Sequence, residues 1–429
     1  MLLPFFLFGC GARERGPTED SIAKCSDSID NDGDGFVDCN DQDCRAFSIC
    51  ADAGPDSDVD SDTDSDVDAD TDSDTDTDTD TDSESDTDTD TDTGTDPPGP
   101  KCPEGVTWLA ETVDAPNDTG WTTRMAVAEV DAPHLVYVDV TRSDIRHAWR
   151  DGEAWQTETI EDGATLGGLV FDGTGVLHVV YEWWVAGDSN LRHGTLEGDG
   201  GWLIEDIDEA STGIYAAIFA DAADTLHVAY WYRDVDTQTY LRYATDAGGG
   251  WAIDEIGVSA AGGACIAVDG DIVHVGVVAS GNAQVRTLDA GTWTTEFVGA
   301  ARANACSIFL DADGALRYLY NHDGGDLRYA SNDGGGWVED PIETDVYTVG
   351  PSVLDADGAL HAVFIRFRDF AGEPGDVEYI TDAGGGWVVE TIAEGPASDA
   401  SLALGPDGSV HVAYRDITDT ALKYAQRCE

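Results

Sequence analysis

One tryptophan-led phrase returns at nearly even intervals through most of the chain. It reads Trp, two residues, Glu or Asp, one residue, then Ile or Val, with spacings of 47, 47, 49, 42, 44 and 50 residues between successive tryptophans. A period in this range is typical of repeat architectures, in which each unit buries its apolar face only against its neighbours. The phrase begins at Trp108, Trp155, Trp202, Trp251, Trp293, Trp337 and Trp387.

Two further phrases accompany the tryptophan phrase in most units, as at 226–230 and 241–244. They alternate, are rich in Val, Ile and Tyr, and are separated by turns of Asp and Gly, which is the pattern of short β-strands. No helical pattern of useful length occurs. Four antiparallel strands in a unit of about 45 residues predict an all-β fold made of β-propeller blades.

The two ends of the repeat region decide the number of blades. The last unit stops after its third strand, at 422–425, whereas an unaccompanied tryptophan strand stands at 106–111. We therefore predict a seven-bladed propeller over 101–429 whose last blade is closed by both termini, which removes an open sheet edge. Cys102 and Cys428 flank these two strands, so a disulfide between them would lock the closure.

Charge separates the propeller from the segment before it. Residues 51–100 hold 21 acidic and no basic residues, alternating with Thr and Ser. Such a segment has too few apolar groups to fold, and its repulsion extends it, so we expect a disordered linker. The whole chain has a net charge of −66, which excludes nucleic acid as an expected partner because phosphate binding needs a basic face.

The first ten residues form a short apolar run that ends in Leu7-Phe8-Gly9-Cys10. The run is too short to span a bilayer, and it resembles a bacterial lipobox. That resemblance implies a signal at 1–9, a lipid on Cys10, and an extracytoplasmic position at the bacterial outer membrane or cell surface, with membrane contact through the lipid anchor only. A plain secretory signal with an incidental cysteine is the alternative.

An Asp- and Cys-rich module at 10–50 contains the sharpest metal-binding pattern. Five carboxylates and one carbonyl at loop spacing suit calcium, which takes six to eight oxygens. The string resembles a thrombospondin type 3 calcium repeat and an Asp/Cys-rich repeat of secreted delta-proteobacterial proteins, which implies a structural calcium ion. The alternative is an acidic turn that is held by disulfides and binds no metal ion tightly. The predicted ligands are Asp30, Asp32, Asp34, Phe36 through its carbonyl, Asp38 and Asp41.

Nine cysteines fit an oxidising compartment. Cys10 is the lipidation candidate, and four belong to the small module with their pairing left open. Cys265 and Cys306 occupy matching first-strand positions of neighbouring blades, so they are expected either to pair or to remain as two buried thiols. The four cysteines of the module are Cys25, Cys39, Cys44 and Cys50.

The glycine-rich turns before each tryptophan, best seen at 331–337, resemble the Asp box of sialidase-like (BNR) propellers. In that family the box is a folding element on the face opposite the active site, so the resemblance implies a propeller. The Arg-Ile-Pro motif of sialidases is absent, which argues against sialidase activity and favours a protein that is not an enzyme.

Two rings of charged residues are interpreted as structural. Arginines recur at one third-strand position and are expected to form cross-strand ion pairs with the acid of the tryptophan phrase. Histidines recur at one second-strand position, too far apart to share one metal ion, and are expected to be buried and hydrogen-bonded between blades. The positions are Arg146, Arg192, Arg242, Arg286 and Arg328, and His178, His227, His274, His361 and His411.

Ligand contacts are sought where the repeat is irregular, in long loops between second and third strands. Aromatic side chains mixed with arginine suit a sugar and its hydroxyls, or a protein anchor, although loops that pack on each other would look the same. We therefore expect a monomeric, non-catalytic surface protein that binds carbohydrate or protein; the alternatives are a glycan hydrolase using the same face, or a structural or adhesion protein. The candidates are Trp183, Trp184, Trp231, Tyr232, Arg233, Arg366, Phe367 and Arg368.

Overall fold

The computed structural model describes the propeller region of the chain. The described residues are 103, 105–115, 117–128, 132–152, 154–185, 188–198, 200–209, 214–233, 239–258, 263–301, 306–322, 325–368 and 373–428. Their regular secondary structure is entirely β-strand, and they contain no helix with the length and apolarity needed to cross a membrane. The predicted signal, calcium module and linker lie outside the described residues.

The first described strand, β1 (Trp108–Asp114), is separate from the three blades that follow it. Blade one contains β2 (Trp121–Val127), β3 (Pro133–Asp139), β4 (Asp144–Asp151) and β5 (Ala154–Asp162). Blade two contains β6 (Ala164–Phe171), β7 (Leu177–Val185), β8 (Asp188–Leu196) and β9 (Trp202–Asp208). Blade three contains β10 (Ile214–Ala220), β11 (Leu226–Arg233), β12 (Thr239–Thr245) and β13 (Ala252–Val258).

The remaining blades repeat this order, except that the first strand of blade six is broken at Pro351, which has no N–H for the ladder. Blade four contains β14 (Ala264–Asp269), β15 (Ile272–Ala279), β16 (Asn282–Asp289) and β17 (Thr292–Ala300). Blade five contains β18 (Cys306–Leu310), β19 (Leu316–Asn321), β20 (Leu327–Asn332) and β21 (Val338–Glu343). Blade six contains β22 (Val346–Val349), β23 (Val353–Leu354), β24 (Leu360–Phe367), β25 (Pro374–Thr381) and β26 (Val388–Ala393). Blade seven contains β27 (Ala397–Leu404), β28 (Val410–Asp416), β29 (Ala421–Arg427) and β1.

Both ends of the described chain meet in blade seven. Strand β1 pairs antiparallel with β29, with Trp108 opposite Arg427. The amide of Cys428 donates to the carbonyl of Thr107 over 2.8 Å. These pairings confirm the prediction of seven blades with a shared last blade. Cys428 is disulfide-bonded, and its predicted partner Cys102 lies outside the described residues.

The core of the propeller consists of seven apolar clusters, one between each pair of neighbouring blades. Between blades one and two, for example, Val138 and Ile145 pack with Val179 and Tyr181. Each blade therefore buries both of its faces, which explains why second strands read as nearly continuous apolar runs. Closing the ring lets the first and last blades bury their outer faces as well.

The repeated tryptophans join one blade to the next. In six of the seven blades the ring packs edge-to-face on an aromatic or histidine ring of the preceding blade, and Trp337 packs on Tyr318 of its own blade. At three blade interfaces the acid of the phrase accepts a hydrogen bond from Nε1 of the next tryptophan: Glu158 from Trp202 over 2.9 Å, Glu205 from Trp251 over 3.0 Å, and Glu296 from Trp337 over 3.0 Å. The phrase thus encodes contacts between blades.

One disulfide joins the first strands of blades four and five. Cys265 on β14 and Cys306 on β18 are bonded, with their Cα atoms 5.8 Å apart, inside the usual range for a disulfide. This confirms the predicted pairing over the alternative of two free thiols.

The repeated histidines are buried and hydrogen-bonded, but their partners lie in their own blade. Nδ1 of His227 lies 2.6 Å from the hydroxyl of Tyr243 on the adjacent third strand, and Nε2 lies 3.3 Å from Asp221 in the preceding turn. His361 has the same pair of contacts, to Tyr379 and Asp355. The prediction that these histidines are buried and hydrogen-bonded is confirmed. Their partners lie within the blade because an imidazole on the second strand reaches polar groups on both sides within its sheet.

Candidate functional site

The irregular loops lie at one end of the ring, which we call the upper face: the end where second strands connect to third strands. Antiparallel pairing places the connections from third to fourth strands, which carry the Asp-box-like turns, at the opposite end, the lower face. The sequence predicted this separation. The candidate site is therefore built from the upper ends of the strands.

A groove between the upper ends of blades two and three, here called the 2–3 groove, collects several of the predicted residues. Val180 on β7 packs in the core between these blades, and alternate residues of a strand share a face. Glu182 and Trp184 therefore face blade three. Tyr232 on β11 packs against the same core from the other side. Trp184 is 60% exposed, so its ring is free to contact a ligand.

Arg242 forms the polar wall of the 2–3 groove. Its guanidinium carbon lies 3.6 Å from the centroid of the Tyr232 ring, and Nη1 lies 2.7 Å from a carboxylate oxygen of Asp208 on the outer strand of blade two. The hydroxyl of Tyr230 donates to the same oxygen over 2.8 Å. Burial and the Asp208 charge raise the pKa of Tyr230, so it remains a proton donor at neutral pH.

The same arrangement recurs between blades one and two. The guanidinium carbon of Arg192 lies 3.9 Å from the centroid of the Trp183 ring, and Glu161 on β5 accepts hydrogen bonds from both Arg192 and Tyr181. Asp206 holds the Nε of Arg192 at 2.9 Å. An aromatic ring, a guanidinium and a carboxylate from the preceding blade are thus fixed together twice at the upper face.

A third copy, between blades seven and one, has the acid and the hydroxyl without the stacked aromatic. Arg146 lies 3.5 Å from Asp114, and Tyr137 donates to the same carboxylate oxygen over 2.5 Å. The ring arginines therefore form ion pairs in blades one to three, as predicted. Each of the three pairs with the residue six positions after the tryptophan of the preceding blade, not with the acid within the phrase as expected. In blades one and two that acid, Glu158 or Glu205, accepts a hydrogen bond from the next tryptophan.

Blades four and five depart from this pattern. For Arg286 the equivalent of the acid is Gly257, which has no side chain to pair with it. Arg286 instead donates a hydrogen bond to Oε1 of Gln284 over 3.0 Å. Burial lowers the pKa of Arg286. Arg328 pairs with Glu339 of its own blade at 3.1 Å. Among the described third-strand arginines, the complete cluster with a stacked aromatic ring thus occurs at the 1–2 and 2–3 interfaces. A different grouping lies where blades seven and one meet: Arg415 of the second strand of blade seven lies 4.3 Å from the centroid of the Trp121 ring and 2.7 Å from Asp118.

Trp231 does not belong to the site. It is 1% exposed and packs in the core between blades three and four with Ala229 and Leu241. The physical reason is strand alternation: Trp231 and Tyr232 are neighbours on β11 and point to opposite faces of blade three. The prediction that Trp231 contacts a ligand was therefore wrong.

The other predicted residues fall into two separate sets. Arg233 is exposed at the end of β11. Burial raises the pKa of the Glu182 carboxyl, and the positive charge of Arg233 opposes this increase. Arg366 of blade six pairs with Glu343 on the outer strand of blade five at 3.5 Å and with Glu378 of its own blade at 3.3 Å.

Two neighbours of Arg366 complete the blade-six set. Phe367 packs edge-to-face on Tyr347, and Arg368 is exposed. Two blades separate blade six from blades two and three in either direction around the ring. The blade-six residues therefore cannot share one small ligand with the 2–3 groove.

The predicted metal and lipid sites lie outside the described residues and remain predictions. The described residues contain no group of three or more His, Cys, Asp or Glu side chains that could hold a metal ion. The positions concerned are Asp30, Asp32, Asp34, Phe36, Asp38, Asp41, Cys10, Cys25, Cys39, Cys44 and Cys50.

Sequence reasoning missed the acids and tyrosines that fix the arginines. Glu161 and Asp208 each stand six residues after a phrase tryptophan, beyond the part of the phrase that repeats in every unit. Tyr181 and Tyr230 occupy one second-strand position, two residues before the stacked aromatic ring of the same blade. The sequence did contain a signal for these contacts: the Tyr, the Arg and the acid six residues after the tryptophan occur together at the interfaces before blades one, two and three.

Comparison with known proteins does not identify a family. No family model matches the chain, and no curated protein matches it. A mutant lectin of Aleuria aurantia in complex with Fucα1-6GlcNAc shares 14% identity over 66% of this chain and 98% of the lectin, with a TM-score of 0.46. A Hadza microbial sialidase shares 13% identity over 73% of this chain and 66% of the sialidase, with a TM-score of 0.44. A Dyadobacter fermentans protein of unknown function shares 10% identity over 75% of this chain and 98% of that protein, with a TM-score of 0.47.

Proposed function

We propose that the propeller is a non-catalytic carbohydrate-binding domain whose ligand occupies the upper face between blades. The observation that carries this proposal is the repeated cluster of aromatic ring, guanidinium and carboxylate at Trp183–Arg192–Glu161 and at Tyr232–Arg242–Asp208. A sugar presents both C–H faces, which pack on aromatic rings, and hydroxyls, which donate to carboxylates and accept from guanidinium groups. Few other ligand classes need all three groups within one small site.

The charges of the cluster favour neutral sugars. Arg192 is already paired with Glu161 and Asp206, and Arg242 with Asp208 and Glu255. Each guanidinium therefore faces two carboxylates and has no net positive charge to offer an acidic sugar. Neutral glycans are accordingly expected to bind better than sialylated or sulfated ones, and binding should depend little on ionic strength.

Repetition of the cluster also favours a surface that displays several sugars. Two sites on one rigid face can be occupied by two branches of one glycan, which converts the second binding step into an intramolecular one. Density-dependent binding is therefore expected.

A glycan array probed with the full chain tests the proposal. Trp184→Ala and Tyr232→Ala should each lose most of the signal for a neutral glycan, because they remove the aromatic walls of the 2–3 groove. Phe297→Ala is the matched control: Phe297 is 67% exposed on the outer strand of blade four, and its removal should leave the signal unchanged. An array without any bound glycan, or a signal that survives both groove variants, would remove the proposal. Release of free sugar from the bound glycans would favour the hydrolase alternative instead.

We further propose that the chain is displayed at the bacterial cell surface by a lipid on Cys10, with 51–100 as the spacer. Metabolic labelling with a lipid analogue should mark the chain and should fail for Cys10→Ser. A label that survives this change would contradict the proposed anchor.

We also propose a structural calcium ion in the module at 10–50, bound by carboxylates and the carbonyl of Phe36. Calorimetric titration of the full chain with calcium, compared with a variant carrying Asp32→Asn and Asp34→Asn, tests it. A heat of binding common to both proteins would contradict the assignment. The proposed carboxylate ligands are Asp30, Asp32, Asp34, Asp38 and Asp41.

A further inference from the structure

A pocket of about 350 Å³ lies between blades one and two at the lower face, far from the upper-face clusters. Among the described residues, its walls come from the end of β2 and the start of β3 in blade one, and from two turns of blade two. Most of the lining is apolar, and two polar side chains contribute to it. The residues that matter below are Ala128, His134, Phe171, Leu177, Leu196 and Glu197.

The pocket lies where the repeat loses a carboxylate. In three other blades an Asp six residues before the repeated histidine stands 3.2–3.3 Å from its Nε2, at Asp172–His178, Asp221–His227 and Asp355–His361. In blade one the residue six positions before His134 is Ala128. Within the described part of blade one and its neighbours, nothing is hydrogen-bonded to Nε2 of His134.

A chain of hydrogen bonds determines which nitrogen of His134 carries the proton. Oε1 of Glu158 lies 2.9 Å from Nδ1 of His147 and accepts a second bond from Nε1 of Trp202. A carboxylate only accepts, so Nδ1 of His147 is protonated, and its Nε2 is the acceptor for Nδ1 of His134 at 2.9 Å. The proton of neutral His134 is therefore on Nδ1, and its Nε2 has a lone pair available to a ligand.

We propose that this pocket binds a small neutral molecule with an apolar, ring-sized body and one hydroxyl group, and that the hydroxyl donates to Nε2 of His134. The ring of Phe171, which packs edge-to-face on His134, and the side chains of Leu177 and Leu196 supply the apolar walls. A volume of about 350 Å³ is at the lower end of the range of small-molecule pockets.

The charges and hydrogen-bonding groups of the pocket disfavour anions, ethers and hydrocarbons as ligands. Burial and the adjacent His147 lower the pKa of His134 to about 4, so His134 is uncharged at neutral pH and offers no cation to an acid. Glu197 in the lining repels anions as well. An ether or a hydrocarbon of the same size would leave the lone pair without a donor. The hydroxyl donor is thus the feature that the pocket selects.

Phenol, anisole and benzoate are the probes that separate these cases. They share one ring, but anisole lacks the donor and benzoate is an anion. We expect the full chain to bind phenol saturably, with an upfield shift of one histidine Nε2 resonance in ¹⁵N-histidine-labelled protein. Anisole should bind at least tenfold more weakly, which corresponds to one hydrogen bond of about 1.4 kcal/mol, and benzoate should not bind.

Ala128→Asp restores the carboxylate of the other blades and is the decisive variant. The new carboxylate would lie beside Nε2 of His134 and favour a proton on that atom, so Nε2 would no longer accept from a hydroxyl and phenol binding should be lost. A melting temperature close to that of the native chain would show that the fold is kept. Ala223→Asp is the matched control, since it adds the same charge to the corresponding turn of blade three, where Ala223 is exposed. It should leave phenol binding unchanged.

Three results would each overturn the proposal: no saturable binding of phenol to the native chain, equal affinities for phenol and anisole, or phenol binding that survives Ala128→Asp. None of these outcomes concerns the upper face. The proposed carbohydrate site and this pocket are therefore tested independently of each other.

Discussion

Nδ1 of His134 and Nε2 of His147 lie 2.9 Å apart, and the two rings stack with centroids 5.1 Å apart at an angle of 17°. His178 and His193 repeat this pair in blade two. In blades three, six and seven a tyrosine hydroxyl takes the place of the second imidazole, at 2.6 Å from the histidine. A tyrosine stays neutral in acid, whereas two stacked imidazoles would become two adjacent charges. Acid should therefore act on blades one and two, where it would charge two stacked imidazoles at once.

The stability of the propeller should fall as the pH falls from about 6.5 toward about 4. The pKa of His134 is lowered from 6.5 to about 4 by burial and by His147, and burial lowers the pKa values of His147 and His193. The unfolded chain then binds more protons than the folded chain in this range, so the free energy of unfolding decreases with falling pH. The titration of His134 alone should lower the free energy of unfolding by about 3 kcal/mol across this pH range. His147→Tyr, which introduces the residue of blades three, six and seven, should reduce the slope in urea titrations across this pH range; an unchanged slope would contradict the assignment.

Removing the acid of the 2–3 groove should be costly. Asp208→Ala leaves the Arg242 guanidinium and the Tyr230 hydroxyl without the carboxylate that both contact at 2.7–2.8 Å, and breaking a buried pair typically costs about 3–5 kcal/mol. Glu255→Gln is the control: Glu255 also faces Arg242, at 3.7 Å, but its side chain is half exposed, so the cost should stay below about 1 kcal/mol. Chemical denaturation of both variants measures the difference, and equal costs would show that Asp208 does not hold the guanidinium.

Trp184 and Trp231 occupy the second strands of neighbouring blades, and their removal should affect stability very differently. Trp231→Ala empties a core position that is 1% exposed and should cost about 3–5 kcal/mol. Trp184→Ala removes a side chain that is 60% exposed and should change the free energy of unfolding by less than about 0.5 kcal/mol. Urea denaturation of the two variants checks the contrast, and a large loss for Trp184→Ala would place that ring in the core instead.

The disulfide between blades four and five should stabilise the ring. Cys265 and Cys306 are separated by 41 residues, for which the chain-entropy treatment gives about 4 kcal/mol. The double variant Cys265→Ser and Cys306→Ser should therefore melt well below the native protein under oxidising conditions. Adding a reductant should lower the melting temperature of the native chain and should affect the variant less. Equal effects of the reductant on both proteins would mean that this bond does not carry the stabilisation.

The repeat made the architecture predictable. The spacing of the tryptophan phrase, the alternation of the strands and the position of the unpaired strand at 106–111 led to seven blades with a shared last blade, and the observed pairing of β1 with β29 confirms this. The matching positions of Cys265 and Cys306 similarly predicted their bond. These inferences succeeded because equivalent positions of a repeat occupy equivalent positions in the ring.

The side-chain partners were less predictable. Repetition shows that Arg192 and Arg242 are equivalent, but it does not show which of several nearby acids each one reaches. The observed partners, Glu161 and Asp208, come from the preceding blade. The twist and packing angle of neighbouring sheets decide that distance, and neither is encoded in a local pattern.

The number of blades, their strand order and the ring closure follow from the amino-acid sequence alone, because a period and an alternation report directly on backbone geometry. Which aromatic side chains are free depends instead on three-dimensional packing. Trp184 and Trp231 stand in similar segments of similar composition, yet one faces solvent in the 2–3 groove and the other fills the core between blades three and four. Trp231 stands four residues after the repeated histidine of its strand, beside the core, and Trp184 stands six residues after it, near the end of β7. The distance of a residue from the packed centre of the blade, which a local pattern does not show, therefore determines whether its side chain is covered.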